Sequence, residues 1–152
     1  MPIYGEWRYR LIWSVRNTPE GGLAVRMINS TGAVSVKGTV VQASPTHDRG
    51  VYPIQQNIPD PIGVIYESGI ADGKDVWVVI SGIADVLFTN APTRKYLARG
   101  FVTGEATYEA GKALSEEVPS SPFASDKHFY EIGHIVESKT EPGLAKVLLH
   151  FN

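Results

Sequence analysis

The chain has 152 residues, 43% of them hydrophobic, no cysteine and a formal net charge of −2. This composition predicts one domain with an ordinary buried core, and the absence of thiols excludes cysteine nucleophiles, iron–sulfur clusters and cysteine-ligated zinc. The net charge argues against nucleic-acid binding by phosphate neutralisation. With no signal-like N-terminus and no run near the about 18 apolar residues of a spanning helix, we expect a soluble, unprocessed protein without a membrane partner.

The first predicted element is a long amphipathic strand from Trp7 to Arg16. Aromatic and aliphatic side chains alternate there with arginines and a serine, and this period of two puts the two sets on opposite faces. The aromatic face either covers the core or anchors a partner, and both alternatives stay open. The candidate interface with a partner or another subunit consists of Trp7, Arg8, Tyr9, Arg10, Trp13 and Arg16.

The opening segment differs in charge from the rest of the chain. Residues 1–37 carry five basic side chains against two acidic ones, so the remainder is acidic. Such a segment could fold on the acidic body or bind an acidic partner. The simpler alternative is an edge strand with solvated arginines.

Turn-forming residues follow this strand. Residues 19–22 (Pro-Glu-Gly-Gly) and 29–32 (Asn-Ser-Thr-Gly) flank an extended run, which predicts an N-terminal β-hairpin or arm over residues 1–33. Residues 34–41 are rich in β-branched side chains and predict a strand with a glycine bulge. Residues 44–61 contain four prolines and predict a long loop. The main domain is expected at residues 34–152, within one compact unit overall.

A repeat dominates the second part of the chain. Residues 62–68 (Ile-Gly-Val-Ile-Tyr-Glu-Ser) return at 132–138 (Ile-Gly-His-Ile-Val-Glu-Ser), with five identical positions. Each copy runs through a turn into an apolar strand, and residues 144–151 align with 74–81 without a gap. Two β-hairpins of equal length are therefore predicted. The segment from Asp75 to Ile80 is apolar on both faces, Trp77 included, and predicts the centre of the core, followed by another strand up to Phe88.

The strand that precedes the second hairpin is less clear. Residues 99–102 resemble 37–40, residues 111–115 are a rival, and both precede a Pro/Ser-rich loop at 118–125. Helical character is confined to residues 105–117. We therefore predict an all-β fold, a small β-barrel or β-tulip-like sandwich built from a duplicated β-hairpin unit with an extended N-terminal strand or arm.

Several residue types that carry chemistry have simpler explanations. Glu67 and Glu137 occupy equivalent repeat positions and could form an acid/base pair, but Glu-Ser before a turn is ordinary when the serine bonds backbone amides. His134 and His150 align with valine and isoleucine in the first copy, so we interpret them as packing positions and predict no metal and no cofactor. Loop histidines at 47 and 128, each near an aspartate, leave a small hydrolase as a further alternative.

Three segments together resemble a known family: residues 37–41 (Lys-Gly-Thr-Val-Val), 62–64 (Ile-Gly-Val) and 75–86. They are similar to the tailed-phage head decoration, or cement, proteins and related small virion proteins. The resemblance implies a non-enzymatic protein on the outside of an expanded capsid, with the major capsid protein and itself, commonly as a homotrimer, as partners. It carries over no catalytic residues, and we expect synthesis in the host cytoplasm. The net charge and the lack of a spanning segment likewise predict no nucleic-acid and no membrane partner.

Residues 1–33 do not match that family. We interpret them as an arm that pairs with a neighbouring subunit or a capsid strand, because an edge strand can recruit another chain. The alternative function is a tail, baseplate or fibre-associated module that binds a virion protein or a glycan through the loops at 44–61 and 118–125.

Overall fold

The computed structural model describes residues 14–118 and 130–151 of the chain. These residues form an all-β fold of ten strands, as predicted, and within them no helix has the length and apolar character needed to cross a bilayer. The strands are β1 (Val15–Asn17), β2 (Gly22–Asn29), β3 (Val40–Ala43), β4 (Gly50–Pro53), β5 (Gly63–Ile65), β6 (Asp75–Leu87), β7 (Leu97–Arg99), β8 (Leu114–Glu116), β9 (Glu131–Ile135) and β10 (Leu144–Leu149).

The first half of the fold is a ring of five strands. β2 pairs with β6, β6 with β5, β5 with β3 and β3 with β4, all antiparallel, and a parallel pairing of β4 with β2 closes the ring. β1 extends this first ring as an edge strand antiparallel to β2. The predicted turn at residues 19–22 joins these two strands, and the turn that follows β2 begins at Asn29. The predicted division between residues 33 and 34 stays a prediction.

The second half repeats this arrangement. The later part of β6 pairs with β10, β10 with β9, β9 with β7 and β7 with β8. A parallel bridge between Phe88 and Ala113 then links the start of β8 to the end of β6, which closes the second ring. β6 belongs to both rings because its 13 residues pass from one to the other through Gly82, whose φ is +80°.

Equivalent hydrogen bonds show that the duplication covers whole rings. The amide of Gly38 donates to Ile65 O, and that of Lys95 donates to Ile135 O, before equivalent strands β3 and β7. Both donors have positive φ, +89° and +75°. Every strand of the first ring thus has a counterpart: β2, β3, β4, β5 and early β6 correspond to late β6, β7, β8, β9 and β10.

The repeated Ile-Gly motif is explained by close approach of strands. A Cβ on Gly63 would lie 2.4 Å from Val78 Cγ1, and one on Gly133 would lie 2.2 Å from Leu148 O. Both glycines therefore let the neighbouring strand of the hairpin approach, and the isoleucine two residues later is buried in each copy. The motif recurs because both rings need the same packing.

The larger hydrophobic core joins the two rings. It contains buried side chains of the first ring, such as Val40 and Val79, together with Val86, Ile132 and Val147 of the second. A smaller cluster around Val76 and Val78 lies on the other side of β6, as expected for a strand that is apolar on both faces. Among the described residues, the larger of the two buried clusters is thus the one that both rings share, and its burial holds them against each other.

The structure corrects four expectations. The strand predicted over residues 34–41 begins only at Val40, and the predicted loop at 44–61 contains β4. Neither proposed counterpart of residues 37–40 is right: the equivalent segment is 94–97, while residues 99–102 follow it and 111–115 correspond to β4. The region with helical character, 105–117, forms turns and β8.

The two hairpins are also unequal in length. Ile65 pairs with Val78 in the first, whereas Ile135 pairs with Val147 in the second, so the second turn is one residue shorter. The gap-free alignment is therefore wrong beyond the turn. The true counterpart of His150 is Ser81 rather than Ile80.

Candidate partner-binding surface

Most of the predicted interface lies outside the described residues. These are Trp7, Arg8, Tyr9, Arg10 and Trp13. Arg16 is described and lies on β1, where its backbone pairs with Ala24 of β2. In the strand order β1 stands at the end of the sheet, and among the described residues it pairs on one side only. The predicted arm therefore leads into an edge strand of the first ring.

The exposed Arg16 side chain lies against two aromatic rings of the first ring. Its Cζ atom is 5.3 Å from the ring centroid of Tyr66 and 5.3 Å from that of Trp77. Arg26 covers Trp77 at 5.3 Å as well, and Lys37 Nζ lies 5.5 Å from the Tyr66 centroid. These five side chains form a row across the sheet that we call the aromatic–cationic row. Such cation–π contacts hold each cation in place, and each cation covers part of an aromatic ring.

Strand register explains how the row assembles. Arg26 and Trp77 are directly paired across β2 and β6, and Tyr66 donates its backbone amide to Trp77 O. Arg16 is diagonal to Arg26 across β1 and β2, so both side chains share a face. Three members of the row therefore lie on the adjacent strands β1, β2 and β6, Tyr66 lies directly after β5, and Lys37 lies in the turn before β3.

Tyr66 is anchored at its hydroxyl. The phenol donates a hydrogen bond of 3.1 Å to Glu20 Oε2, in the turn between β1 and β2. Burial raises the pKa of Tyr66 above its usual value, and the hydrogen bond and negative charge of Glu20 raise it further, against the lowering effect of Arg16 and Lys37. The phenol stays neutral and donates across the whole physiological range.

Comparison of the two rings shows what is particular to this surface. In the second ring the counterparts of Tyr66 and Trp77 are Val136 and Lys146, so within the described part of the chain the row belongs to the first ring alone. Trp77 was predicted as core; it is half-buried, with one part packed on the core and the other under two arginines. A correct alignment of the repeat would have revealed this difference from the sequence.

The candidate catalytic groups do not form a catalytic triad among the described residues. His47 Nδ1 lies 3.0 Å from Ser30 Oγ and 2.9 Å from Thr46 Oγ1, so a single ring nitrogen faces both hydroxyls. Its contacts within the described residues include no carboxylate that could orient the imidazole, as a triad requires. Asp126 and His128 lie outside the described residues.

The glutamates of the repeat have separate surroundings. Glu137 Oε1 accepts from the Lys146 amide at 3.3 Å and lies 3.5 Å from Lys139 Nζ. Glu67 lies in the first ring and Glu137 in the second, at equivalent positions before a turn. The neighbouring serines bond backbone amides as predicted: Ser68 Oγ accepts from Lys37, and Ser138 Oγ from Arg94.

Sequence reasoning missed one buried charge cluster. The Arg99 side chain, only 2% exposed, donates to both carboxylate oxygens of Glu105, at 2.9 and 2.6 Å, and also pairs with Glu116. Burial acts to lower the pKa of Arg99, but the hydrogen bonds and charges of the two glutamates outweigh it and the pKa is raised. Glu105 also accepts from the Val102 amide, so the cluster fixes the chain after β7.

The interpretation of His134 and His150 as packing positions is wrong. Their side chains are 50% and 60% exposed, and their rings are stacked with centroids 5.9 Å apart. Both face Glu131, whose side chain is largely buried. The involvement of Glu131 could not be predicted from strand alternation, since residues three apart on a regular strand point to opposite faces.

Comparisons of the chain with protein-family models, with curated proteins and with solved structures find no match.

Proposed function

We propose that this chain is a structural virion protein that binds the outer surface of a phage capsid and stabilises the head. Its partners are the major capsid protein and its own copies, as a homotrimer, and it acts without a cofactor. It is made in the host cytoplasm and acts on the capsid exterior. The proposal joins the resemblance of residues 37–41, 62–64 and 75–86 to decoration proteins with the chemistry of the aromatic–cationic row on the first ring.

One observation carries the proposal: Arg16, at an edge strand, lies against Tyr66 and Trp77. Tyrosine, tryptophan and arginine are the side chains that most often dominate binding energy at protein interfaces. An edge strand adds main-chain donors and acceptors that can pair with a strand of another chain. The cation–π contacts of Arg16 and the edge strand both lie at β1, directly after the aromatic and basic residues of segment 1–13 in the sequence.

A lattice partner suits contacts of this kind. A single short strand and a row of five side chains would give modest affinity by themselves. Three copies joined in a trimer present three such surfaces, and simultaneous engagement multiplies their effect without any new contact. Closed symmetry of this kind is common among homo-oligomers.

The second candidate is a tail, baseplate or fibre-associated module that recognises a virion protein or a glycan. The observation that favours it is the polar turn before β4, where residues 45–49 are exposed and the hydroxyls of Ser30 and Thr46 surround His47. Hydroxyl and imidazole groups on an exposed turn are suited to bind sugars by hydrogen bonds.

Co-sedimentation with expanded empty capsids of the phage that encodes the chain tests the proposal. The full chain should sediment with capsids to a saturating ratio and elute as a trimer by size-exclusion chromatography with light scattering. Deletion of residues 1–13 and the Arg16→Ala variant should each weaken binding. Sedimentation with purified tails but not with capsids would support the second candidate instead.

The duplicated fold supplies a matched control for this experiment. Arg94 is an exposed arginine of the second ring, at the position equivalent to Lys37. Arg94→Ala removes the same charge and a similar area of side chain outside the aromatic–cationic row. It should bind capsids as the unchanged chain does. Equal losses for Arg16→Ala and Arg94→Ala would mean that binding depends on overall charge and not on this surface.

A further inference from the structure

The second ring carries a cluster of one carboxylate and two imidazoles. Glu131 Oε1 lies 3.3 Å from His134 Nε2 and 3.4 Å from His150 Nδ1. One ligand atom from each of the three residues lies within 4.8 Å of the others. Neither distance is a good hydrogen bond, since nitrogen–oxygen pairs in proteins usually lie at about 2.7–3.2 Å.

An irregularity of β9 brings the three side chains to one face. Ala98 pairs with Gly133 but Arg99 pairs with Glu131, so Ile132 is an extra residue in β9. A bulge of this kind turns Glu131 toward the side of His134. His150 follows β10, where Leu148 is paired with His134, and two residues further along a strand return to the same face.

The distances match the edges of a tetrahedral metal site. Zinc binds imidazole nitrogen and carboxylate oxygen at about 2.0–2.2 Å, which separates tetrahedral ligand atoms by roughly 3.3–3.5 Å. Both separations from Glu131 Oε1 fall in that range. Three protein ligands of two histidines and one glutamate, with a fourth position open, are also a known zinc arrangement.

The first ring provides an internal comparison. At the positions of Glu131, His134 and His150 it carries Pro61, Val64 and Ser81. Val64 is fully buried, whereas His134 is half exposed, so packing does not demand a histidine there. All three metal-ligating side chains occur together in one copy of the repeat and all three are missing from the other.

We propose that Glu131, His134 and His150 bind one Zn²⁺ or a similar divalent transition-metal ion. Among the described residues no fourth histidine, cysteine, aspartate or glutamate belongs to this group. Magnesium and calcium do not fit, because they prefer oxygen ligands and this set has two nitrogens. The metal would link β9 to the end of β10 and so fasten the last strand of the second ring.

Isothermal titration calorimetry of the full chain with zinc chloride, in a buffer that does not chelate metals, tests this site. We expect one zinc ion per chain, no heat of binding with magnesium or calcium, and a higher Tm with zinc present. Cobalt(II) should bind in the same place and show the strong visible absorption of tetrahedral coordination.

Exposed histidines make suitable variants, because their replacement leaves the packed core intact. His134→Ala and His150→Ala should each weaken zinc binding by more than about 10–100-fold, the loss that residues supporting a metal ligand already cause. His47→Ala, an exposed histidine of the first ring, should bind zinc as the unchanged chain does. Glu131→Gln should also weaken binding.

Three results would overturn the site: no zinc binding by the unchanged chain, equal binding by the His134→Ala and His150→Ala variants, or loss of binding in His47→Ala alone. The two histidines would then be surface side chains in weak contact with the largely buried Glu131. The proposed capsid function is independent of this outcome, because the aromatic–cationic row belongs to the other ring.

Discussion

Ser138 Oγ accepts a hydrogen bond of 2.8 Å from the backbone amide of Arg94. Its counterpart in the first ring, Ser68, accepts one of 2.7 Å from Lys37. Each bond ties the turn after a short strand to the segment that enters the preceding strand of the ring. A polar contact present in both copies indicates that the two rings are equivalent at the level of single side chains.

Replacement of Gly133 by alanine should destabilise the fold. An added Cβ would lie 2.2 Å from the carbonyl oxygen of Leu148, a backbone atom that can move only if β10 moves. We expect a loss of about 1–3 kcal/mol in the free energy of unfolding, as for other overpacked sites. Urea unfolding followed by tryptophan fluorescence measures it.

Gly63→Ala should behave in the same way, because its Cβ would lie 2.4 Å from Val78 Cγ1. Gly100→Ala is the control, since the nearest atom to its Cβ would be 3.8 Å away, at an ordinary contact distance. Equal effects at Gly133 and Gly100 would contradict the explanation of the repeated motif.

Removal of the Glu105 carboxylate should also be costly. The variant Glu105→Ala leaves the buried guanidinium of Arg99 with one carboxylate in place of two and the Val102 amide without its acceptor. We expect a loss of about 3 kcal/mol, at the low end for a broken buried pair because Glu116 remains. Chemical denaturation gives the value.

Glu109→Ala is the matched control for that change. Glu109 pairs with Lys112 at the surface, where both side chains are partly exposed, and such pairs contribute about 0–1 kcal/mol. If the two variants lose similar stability, the Arg99 cluster does not hold the second ring in the way described.

The Tyr66 phenol should ionise at higher pH than an ordinary tyrosine. The pKa of Tyr66 is raised in the folded state. The neutral phenol therefore contributes its full stabilisation at a pH below the ordinary tyrosine pKa of 10.0, and this stabilisation is lost as the pH rises through the pKa of the folded state. Ultraviolet difference titration of the unchanged chain against Tyr66→Phe isolates this group among the seven tyrosines.

Glu20→Gln should lower the pKa of Tyr66, because it removes a charge and a charge-assisted hydrogen bond that both favour the neutral phenol. Glu141→Gln, an exposed carboxylate in the last turn of the second ring, should leave the titration unchanged. An unaltered midpoint in Glu20→Gln would show that Tyr66 is not held against Glu20 in solution.

The sequence predicted the fold correctly where identical residues in the two copies make equivalent contacts. The Ile-Gly motif recurs because Gly63 and Gly133 meet the same steric demand, so the hairpins and the all-β fold could be predicted. The match of β2 to the later part of β6 could not, because those segments have equivalent strand pairings but share few residues. Apolar strands also tolerate a one-residue shift in alignment, which concealed the shorter second turn.

The candidate sites were harder to predict for physical reasons. The side chains at 66 and 77 meet Arg16 only through the register of three strands. Glu131 joins the two histidines only through the bulge at Ile132, which reverses the alternation expected along a strand. Neither event leaves a local pattern in the sequence.

Electron cryomicroscopy of capsids incubated with the purified chain tests the proposed function most directly. We predict trimeric density on the outer surface at local three-fold positions, with β1 and the aromatic–cationic row facing the major capsid protein. Capsids that carry no such density at saturating protein concentration, or density that contacts the capsid through the second ring, would contradict it.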